Sequence, residues 1–373
     1  MGEMENGGDD ISDTDKTEAP SSKVLPLPPP LTFLLLDASL ISDWIVYSLA
    51  SMSGTTLRIA CSSIASSSPG SLWFTTTAAL LENILGTGLI SVSLVLERRE
   101  KRRHDYALQT GLCGSFTTYG AMTTAAVDMF LFGLQPQPSW GGFTNMVFAM
   151  LVNITLSHTI GFRLGRTLAK LTLRSRRCNA GFILRRLFNP ALISLPLIAG
   201  VIITLLWSSS ESWSLTSISK QRLFGVLLAP VGSVSRALLS KYLNGRPRCA
   251  VAFPGTLIAN VLGTFVGSVN GGYIHNNGPY RSVILGVLDI GLGGTLSTVS
   301  TYVKEVNVLS EKQKLQGSTN FEVGGNDEGA EEIGEFLRRE RWADFPEFYI
   351  LIMSTATIGA SILGYLAGGW RAP

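Results

Sequence analysis

The chain has 373 residues, of which only 15% are charged, whereas about 25% are charged in an average globular protein. Lys and Arg outnumber Asp and Glu by 30 to 27, so the net charge is only +3. Four stretches of 22 or more residues contain no Asp, Glu, Lys or Arg: 106–127, 187–210, 249–280 and 348–370. Because about 20 apolar residues span a bilayer, these stretches predict an all-α polytopic membrane protein. They argue against a soluble enzyme and against a nucleic-acid-binding module.

The first 39 residues differ from the rest in composition. Residues 1–30 hold seven acidic residues and two lysines, and they lack the basic start and apolar core of a secretory signal. We therefore expect residues 1–39 to form a disordered cytoplasmic tail. The four cysteines (Cys61, Cys113, Cys178 and Cys249) form no metal-binding spacing, so we expect free thiols.

Apolar stretches of spanning length recur along the remaining chain and predict nine transmembrane helices. The predicted spans are 40–63, 72–96, 106–131, 141–165, 189–207, 220–242, 251–273, 280–303 and 346–370. Lys and Arg are concentrated in every second connection, such as 98–103 and 166–186. Because basic connections stay in the cytoplasm, the pattern predicts a cytoplasmic N-terminus and an extracellular C-terminus.

Polar and glycine positions recur in the two halves of the chain in the same order. The two sets are Arg58, Asn83, Gly111 and Thr118, at steps of 25, 28 and 7 residues, and Arg236, Asn260, Gly291 and Thr298, at steps of 24, 31 and 7. A single span lies between the two sets of four, so equivalent helices would cross the membrane in opposite directions. This predicts an inverted repeat, an arrangement found in many transport proteins.

The repeat divides the chain into four parts. These are the tail 1–39, a first four-helix repeat 40–165, a basic loop with a linker span at about 189–207 within 166–219, and a second, inverted repeat 220–373. The second repeat carries a cytoplasmic insertion at about 307–345.

Polar residues within predicted spans are the candidates for function, because polar groups in a bilayer are costly. Asn83 and Asn260 lie mid-span, where an uncharged amide could either bind an anion or form an interhelical hydrogen bond. Thr256 lies one turn before Asn260 on the same face. Arg58 and Arg236 could either draw anions into a vestibule or extend to lipid headgroups.

Glycines followed by hydroxyl residues interrupt two predicted spans. In the eighth span, Gly291, Gly293 and Gly294 precede Ser297 and Thr298. A helix broken at such a point frees backbone carbonyls, which can coordinate a cation. The run 111–118 in the third span predicts the same geometry across the repeat axis.

These strings resemble the CrcB/Fluc fluoride channel family, in its fused eukaryotic form (FEX). The resemblance covers both repeats and is strongest in Phe-Pro-Gly-Thr-Leu-Ile-Ala-Asn-Val-Leu-Gly-Thr-Phe-Val-Gly (253–267) and in 291–302. It implies a channel rather than an enzyme, with passive fluoride exit through two narrow pores beside an antiparallel interface. It also implies a central Na⁺ held by backbone carbonyls and aromatic ring edges facing the anion. A single chain would suffice as a pseudo-dimer, and export would require the plasma membrane.

The resemblance places the pore residues unequally in the two repeats. The family motif Thr-Phe-Ser-Thr-Phe reads Thr-Tyr-Gly-Ala-Met at 118–122 and Thr-Val-Ser-Thr-Tyr at 298–302. We therefore predict one working pore and one vestigial pore. The working pore would contain Asn260, Thr256, Ser300, Thr301, Tyr302 and Tyr119, and the vestigial pore Asn83, Met122 and Val299. Arg58 and Arg236 would line the vestibule, while the carbonyls of Gly114, Thr117, Gly294 and Ser297 would hold Na⁺.

Two other functions stay open at the level of sequence. A proton-coupled antiporter or small-multidrug-type transporter needs a titratable carboxylate in the membrane, and Glu82, Asp128 and Asp289 are the candidates. An intramembrane serine protease could use His158, but the chain contains no Gly-x-Ser-Gly motif.

Overall fold

The computed structural model describes residues 38–66, 72–100, 106–132, 140–174, 217–244, 251–277, 282–322 and 345–370. Within these residues every regular element is a helix, and none is a strand. The tail up to residue 37, the predicted linker span 189–207 and the stretch 323–344 lie outside the described residues. Cys61 and Cys113 are free thiols, as predicted.

The first half of the chain contains six α-helices and two π-helical segments among the residues described. The α-helices are α1 (Ala38–Ser66), α2 (Leu72–Glu100), α3 (Gly114–Phe116), α4 (Tyr119–Phe132), α5 (Trp140–Leu156) and α6 (Gly165–Arg174). The π-helical segment Ala107–Cys113 leads into α3, and Ser157–Leu164 joins α5 to α6.

The second half has a matching order of helices. The helices are α7 (Ser217–Leu243), α8 (Pro254–Asn277), α9 (Val283–Leu288), α10 (Gly294–Leu296), α11 (Val299–Glu322) and α12 (Pro346–Ala367). The π-helical segment Asp289–Gly293 joins α9 to α10. Such π-helical segments are frequently found at functional sites, and glycine and hydroxyl residues lie next to them here.

Six helical stretches in the described residues are long and apolar enough to cross a membrane. They are Ala78–Val95, Gly141–Leu171, Lys220–Leu243, Pro254–Asn277, Val283–Glu311 and Pro346–Ala367. Each overlaps a predicted span, so the chain is a multi-pass membrane protein. The predicted spans 40–63 and 106–131 are helical over most of their length but do not meet the same criteria. The count of nine spans stays a prediction.

The insertion predicted from about residue 307 begins as regular helix, and its bounds stay a prediction. α11 continues without interruption from Val299 to Glu322. The reason lies in its composition, because residues 304–316 are rich in Glu, Lys, Gln and Leu, all good helix formers.

Both halves break a helix at the same motif position. Thr117 has φ −85° and ψ 146°, and Ser297 has φ −85° and ψ 140°, so each is extended between two helical segments. Three residues earlier, a Cβ atom on Gly114 would overlap the guanidinium of Arg236, and one on Gly294 would overlap that of Arg58. A side chain at either position would displace the guanidinium, and the predicted helix breaks are present.

Small residues bring neighbouring helices together on both sides of the breaks. A Cβ on Gly161 would lie 2.6 Å from the carbonyl oxygen of Ile84 in α2, and one on Gly364 of α12 would lie 2.7 Å from that of Phe265 in α8. Such close approach of backbones is typical of helix packing in membranes.

Candidate functional site

The two helix breaks lie against each other and cap each other's helices. The amide of Ser300 donates to the Thr117 hydroxyl at 3.2 Å, and the amide of Gly120 donates to the Ser297 hydroxyl at 3.0 Å. A hydroxyl oxygen that accepts from the first turn of a helix satisfies a backbone amide with no partner inside the helix. Ser300 therefore lies in a buried hydroxyl cluster between the halves.

Asn83 and Asn260 also cap the helices that start after the breaks. The Oδ1 atom of Asn83 accepts from the Thr118 amide at 3.0 Å, and that of Asn260 accepts from the Thr298 amide at 2.6 Å. Both asparagines are fully buried. The interhelical hydrogen bond that the sequence left as one of two alternatives is thus present in each half, and anion binding stays a prediction.

The amide donors of these two asparagines have different partners. Nδ2 of Asn83 donates to Oδ1 of Asn153 at 3.0 Å, a normal hydrogen bond. Nδ2 of Asn260 faces the thioether sulfur of Met353 at 3.5 Å, a weak acceptor. Each Nδ2 also lies 3.4 Å from the carbonyl oxygen of the residue that its own side chain caps. The side-chain amide of Asn260 therefore has an N–H group that could donate to a stronger acceptor.

Three tyrosines form a buried aromatic row beside Asn260. The rings of Tyr119 and Tyr302 meet edge to face, with centroids 5.4 Å apart, and the rings of Tyr302 and Tyr349 lie 5.5 Å apart. The hydroxyl of Tyr119 is 3.2 Å from that of Ser354. The hydroxyl of Tyr302 is buried without a hydrogen-bond partner among the described residues. The predicted pairing of Tyr119 with Tyr302 is therefore a direct ring contact.

The other predicted pore positions have less specific surroundings. Met122 and Val299 are buried in the same apolar cluster as the tyrosines, and Thr301 is half-buried. The structure gives Met122 and Val299 apolar neighbours, and their assignment to a vestigial pore stays a prediction.

A buried glutamate, which the sequence did not single out, lies at one end of the aromatic row. Glu305 is only 6% exposed, and it accepts hydrogen bonds from Thr256 at 2.5 Å, Tyr349 at 2.7 Å and Asn244 at 3.3 Å. It adds a fourth acidic residue to the three that we had considered intramembrane. It was missed because Lys304 and Glu305 together indicated the end of a span, whereas α11 continues past them.

A row of buried polar side chains follows one face of α12. Its members lie three to five residues apart, as helix geometry requires for one face: the buried Tyr349, Thr357, Ser361 and Tyr365 and the half-buried Ser354. The Ser361 hydroxyl lies 2.8 Å from that of Ser268, which in turn is 3.0 Å from that of Thr124. The corresponding face of α5 buries Met146, Met150 and Ile154. Spacing alone could have revealed this stripe.

The two repeated arginines are buried and join the halves. Arg58 donates to the carbonyl oxygens of Ser115 at 3.2 Å and Ile290 at 2.5 Å. Arg236 donates to the carbonyl oxygens of Thr295 at 2.6 Å and Gly114 at 2.9 Å, and also to that of Thr110. Each guanidinium thus contacts a carbonyl of its own half and one of the other half.

This placement corrects one of the two alternatives for these arginines. Arg58 is 7% exposed and Arg236 is 1% exposed, so neither side chain extends to lipid headgroups. The reason is that the helix breaks leave carbonyls without helical donors, and guanidinium groups satisfy several of them at once. The vestibule role stays a prediction.

The same carbonyls bear on the predicted sodium site. Carbonyl oxygens are suitable ligands for a small hard cation, and each has two lone pairs. Arg236 uses one lone pair of the Gly114 oxygen and leaves the other available, and a Na⁺ held by the carbonyls of Gly114, Thr117, Gly294 and Ser297 stays a prediction.

An open cleft of about 370 Å³ reaches the breaks from the other end of the bundle. Its wall includes Thr118, Arg58 and the three acidic residues Glu82, Asp128 and Asp289. Glu82 accepts from Ser62 at 2.8 Å, Asp289 from Asn270 at 3.0 Å, and Asp128 from Tyr365. The structure therefore brings together the carboxylates that a proton-coupled mechanism would need.

Comparison with known proteins agrees with the motifs. Residues 223–324 match the family model of the CrcB-like protein, Camphor Resistance (CrcB). A relative from Neurospora crassa named Fluoride export protein 1 is 28% identical over 234 residues, which cover 55% of this chain and 42% of the relative. The chain thus spans less than half the length of that curated relative. No solved structure matches the chain.

The matched segment contains most of α7, all of α8, the second helix break and all of α11, and these elements carry Arg236, Asn260 and Tyr302. The resemblance that the motifs indicated is therefore confirmed. Residues 223–324 in the second half are thus similar to the CrcB-like family model, and the chain is a multi-pass membrane protein.

Proposed function

We propose that the chain is a fluoride-selective passive channel that exports fluoride across the plasma membrane, with one working pore on the Asn260 side. The observation that carries the proposal is the Tyr302 hydroxyl, which is buried without a partner among the described residues. A buried hydroxyl that makes no hydrogen bond costs about 1–3 kcal/mol. An anion that accepts from it in transit would offset this cost.

The donors around Tyr302 suit a small anion. The Asn260 amide has only weak acceptors, and the positive ring edges of Tyr119 and Tyr302 can face a negative charge. None of these groups is positively charged, so an anion would be held without being trapped. The path would then follow the hydroxyl groups of α12 between Glu305 and the open cleft.

The contrast between the halves supports a single working pore. Asn83 already donates to Asn153, and α5 presents Met146, Met150 and Ile154 where α12 presents hydroxyl groups. The pore on the Asn83 side would then lack free donors. In this proposal the two halves are inverted repeats and one chain forms both, so no second copy is needed.

Passive export needs no energy source beyond the membrane potential. A negative potential inside the cell drives an anion outwards by about 2.3 kcal/mol per 100 mV. Na⁺ held by the break carbonyls of Gly114, Thr117, Gly294 and Ser297, together with Arg58 and Arg236, would supply positive charge near the centre. That charge would lower the barrier for an anion.

The proposal is tested by fluoride efflux from liposomes that contain the purified chain, with the voltage clamped by a potassium ionophore and chloride as the control anion. We expect fluoride efflux without chloride efflux, unchanged by a pH gradient. A further arm with Na⁺ replaced by N-methyl-D-glucamine should slow the flux. Absence of flux, or equal chloride flux, would overturn the channel, and unchanged flux without Na⁺ would overturn the sodium site alone.

The acidic cleft favours one alternative, a proton-coupled antiporter or small-multidrug-type transporter. Glu82, Asp128 and Asp289 line the same cavity, as exchange of protons for a substrate would require. Flux that follows the proton gradient and is lost in Glu82→Gln or Asp289→Asn would favour this alternative. Fluoride flux that is unchanged by the proton gradient and by both substitutions would exclude this alternative.

We predict that Tyr302→Phe lowers fluoride flux about tenfold, because a hydrogen bond to a charged group contributes about 1.5–3 kcal/mol. Tyr119→Phe is the matched control: its hydroxyl already has a partner in Ser354, so flux should fall less than about threefold. Liposome flux and thermal unfolding are measured for both variants. Tyr302→Phe should not lower stability, because the lost hydroxyl has no partner. Equal flux losses, or faster flux in Tyr302→Phe, would contradict the role of the hydroxyl.

A further inference from the structure

A second cavity lies apart from the aromatic row and carries an excess of positive charge. It has a volume of about 350 Å³ and is bounded by α2, the π-helical segment Ser157–Leu164, α6 and α11. We call it the basic groove, and its lining residues are Ser91, Leu94, Val95, Phe162, Arg166, Lys170, Lys304, Asn307, Val308 and Glu311. Nothing in the proposed anion path uses this cavity.

Three cations face a single carboxylate in the basic groove. Arg166 forms an ion pair with Glu311 at 2.7 Å, and Lys304 donates to the side-chain oxygen of Gln109 at 3.1 Å. Lys170 is exposed. Two positive charges are therefore left without a carboxylate partner within the groove, and both lie beside apolar walls that weaken screening by water.

The walls and surroundings of the basic groove are apolar. Leu94, Val95, Phe162 and Val308 line it, and α6 beside it exposes Leu168 and Leu171 by 53% and 57%. In a membrane protein such exposed leucines meet acyl chains. The groove therefore lies at the boundary between the acyl chains and the headgroups of the membrane.

The sequence around the groove places it on the predicted cytoplasmic side. Five cations (Arg98, Arg99, Lys101, Arg102 and Arg103) follow Val95 within eight residues of sequence. Anionic lipids are enriched in the cytoplasmic leaflet, and basic pockets between transmembrane helices on this side bind their headgroups.

We propose that the basic groove binds the phosphate headgroup of an anionic membrane phospholipid, whose acyl chains extend along the leucines of α6. A lipid accounts for both features of the site, because its phosphate matches the cations and its chains cover the apolar surface. Free phosphate would match only the cations. The inference does not rest on the proposed function, because it concerns different residues.

Native mass spectrometry of the purified full chain in detergent tests the site, with phosphatidylglycerol and phosphatidylcholine as probes. We expect the wild type to retain phosphatidylglycerol in preference to phosphatidylcholine. In Lys170→Gln/Lys304→Gln the affinity for phosphatidylglycerol should fall about thirtyfold, since each of the two cations contributes about 1 kcal/mol to anionic-lipid binding. The control Lys220→Gln/Lys241→Gln removes the same charge outside the groove and should leave affinity unchanged.

Thermal unfolding distinguishes a specific lipid site from a general effect of positive charge. Added phosphatidylglycerol should raise the melting temperature of the wild type and of the control variant, but not that of Lys170→Gln/Lys304→Gln. Equal retention of both lipids, or equal losses in the two double variants, would overturn the proposal. If millimolar inorganic phosphate displaced the lipid and raised the melting temperature by the same amount, the groove would be a site for a free anion. That result would also overturn the lipid proposal.

Discussion

Asn260→Ala is expected to reduce fluoride flux by at least about tenfold, the effect of losing one charge-assisted hydrogen bond of about 1.5 kcal/mol or more. The substitution removes the side-chain amide N–H that lies beside the aromatic row, while Met353 and the tyrosines stay in place. Flux is measured in the liposome assay under voltage clamp. Chloride flux should stay undetectable, because the narrow path itself is unchanged.

Asn83→Ala is a matched control, because it removes the same helix cap from the other half. Asn83 caps the Thr118 amide as Asn260 caps that of Thr298, so both variants should lose about 1 kcal/mol of stability with the cap, and Asn83→Ala should lose about 1 kcal/mol more with its hydrogen bond to Asn153. Only the Asn260 variant should lose flux. If Asn83→Ala alone abolished flux, the working pore would lie on the other side, and equal losses would indicate two working pores or a purely structural role for both residues.

The helical architecture could largely be predicted from the distribution of charge. Runs without charged residues indicated the spanning helices, and each of the six spanning stretches overlaps a predicted span. The glycine and hydroxyl pattern indicated the breaks at Thr117 and Ser297, because glycine disfavours helix. These features depend on neighbours in sequence, which is why the sequence shows them.

The contacts across the breaks could not be predicted in the same way. Arg236 bonds to carbonyls 59 to 126 positions away along the chain, and nothing local in the sequence shows that a membrane helix will offer such acceptors. An arginine near a helix end is ordinarily exposed. The sequence therefore left snorkelling and an anion vestibule as equal alternatives, and burial excluded the first.

Glu305 shows how a charge can mislead the placement of a span. It follows Lys304 directly, so the pair indicated a connection after residue 303, whereas the structure buries the glutamate among Thr256, Tyr349 and Asn244. Three donors from separate elements make this burial possible. The sequence shows these donors only as scattered polar residues, and their convergence is a property of the fold.

Arg236→Met is expected to destabilise the protein by about 3–5 kcal/mol, because it leaves three buried carbonyl oxygens without their donor, at about 1 kcal/mol or more each. The methionine fills much of the same volume but donates to none of the three carbonyls of Thr110, Gly114 and Thr295 that Arg236 contacts. Unfolding in detergent, followed by intrinsic fluorescence, should show a melting temperature about 5 °C lower.

The number of carbonyls that each arginine contacts predicts how much stability each substitution costs. Arg58→Met frees two carbonyls instead of three, so it should destabilise the protein less than Arg236→Met does. Arg222 lies at an exposed position of α7, so Arg222→Met should change stability by less than about 0.5 kcal/mol. A melting temperature for Arg236→Met equal to that of Arg222→Met would show that the guanidinium is not needed to hold the two breaks together. The opposite ranking of Arg58 and Arg236 would mean that charge in the cleft, where Arg58 faces Glu82 and Asp289, matters more than the number of carbonyls bound. The ranking thus separates a structural role for these arginines from a role confined to attracting anions, because attraction alone would change flux and leave the melting temperature untouched.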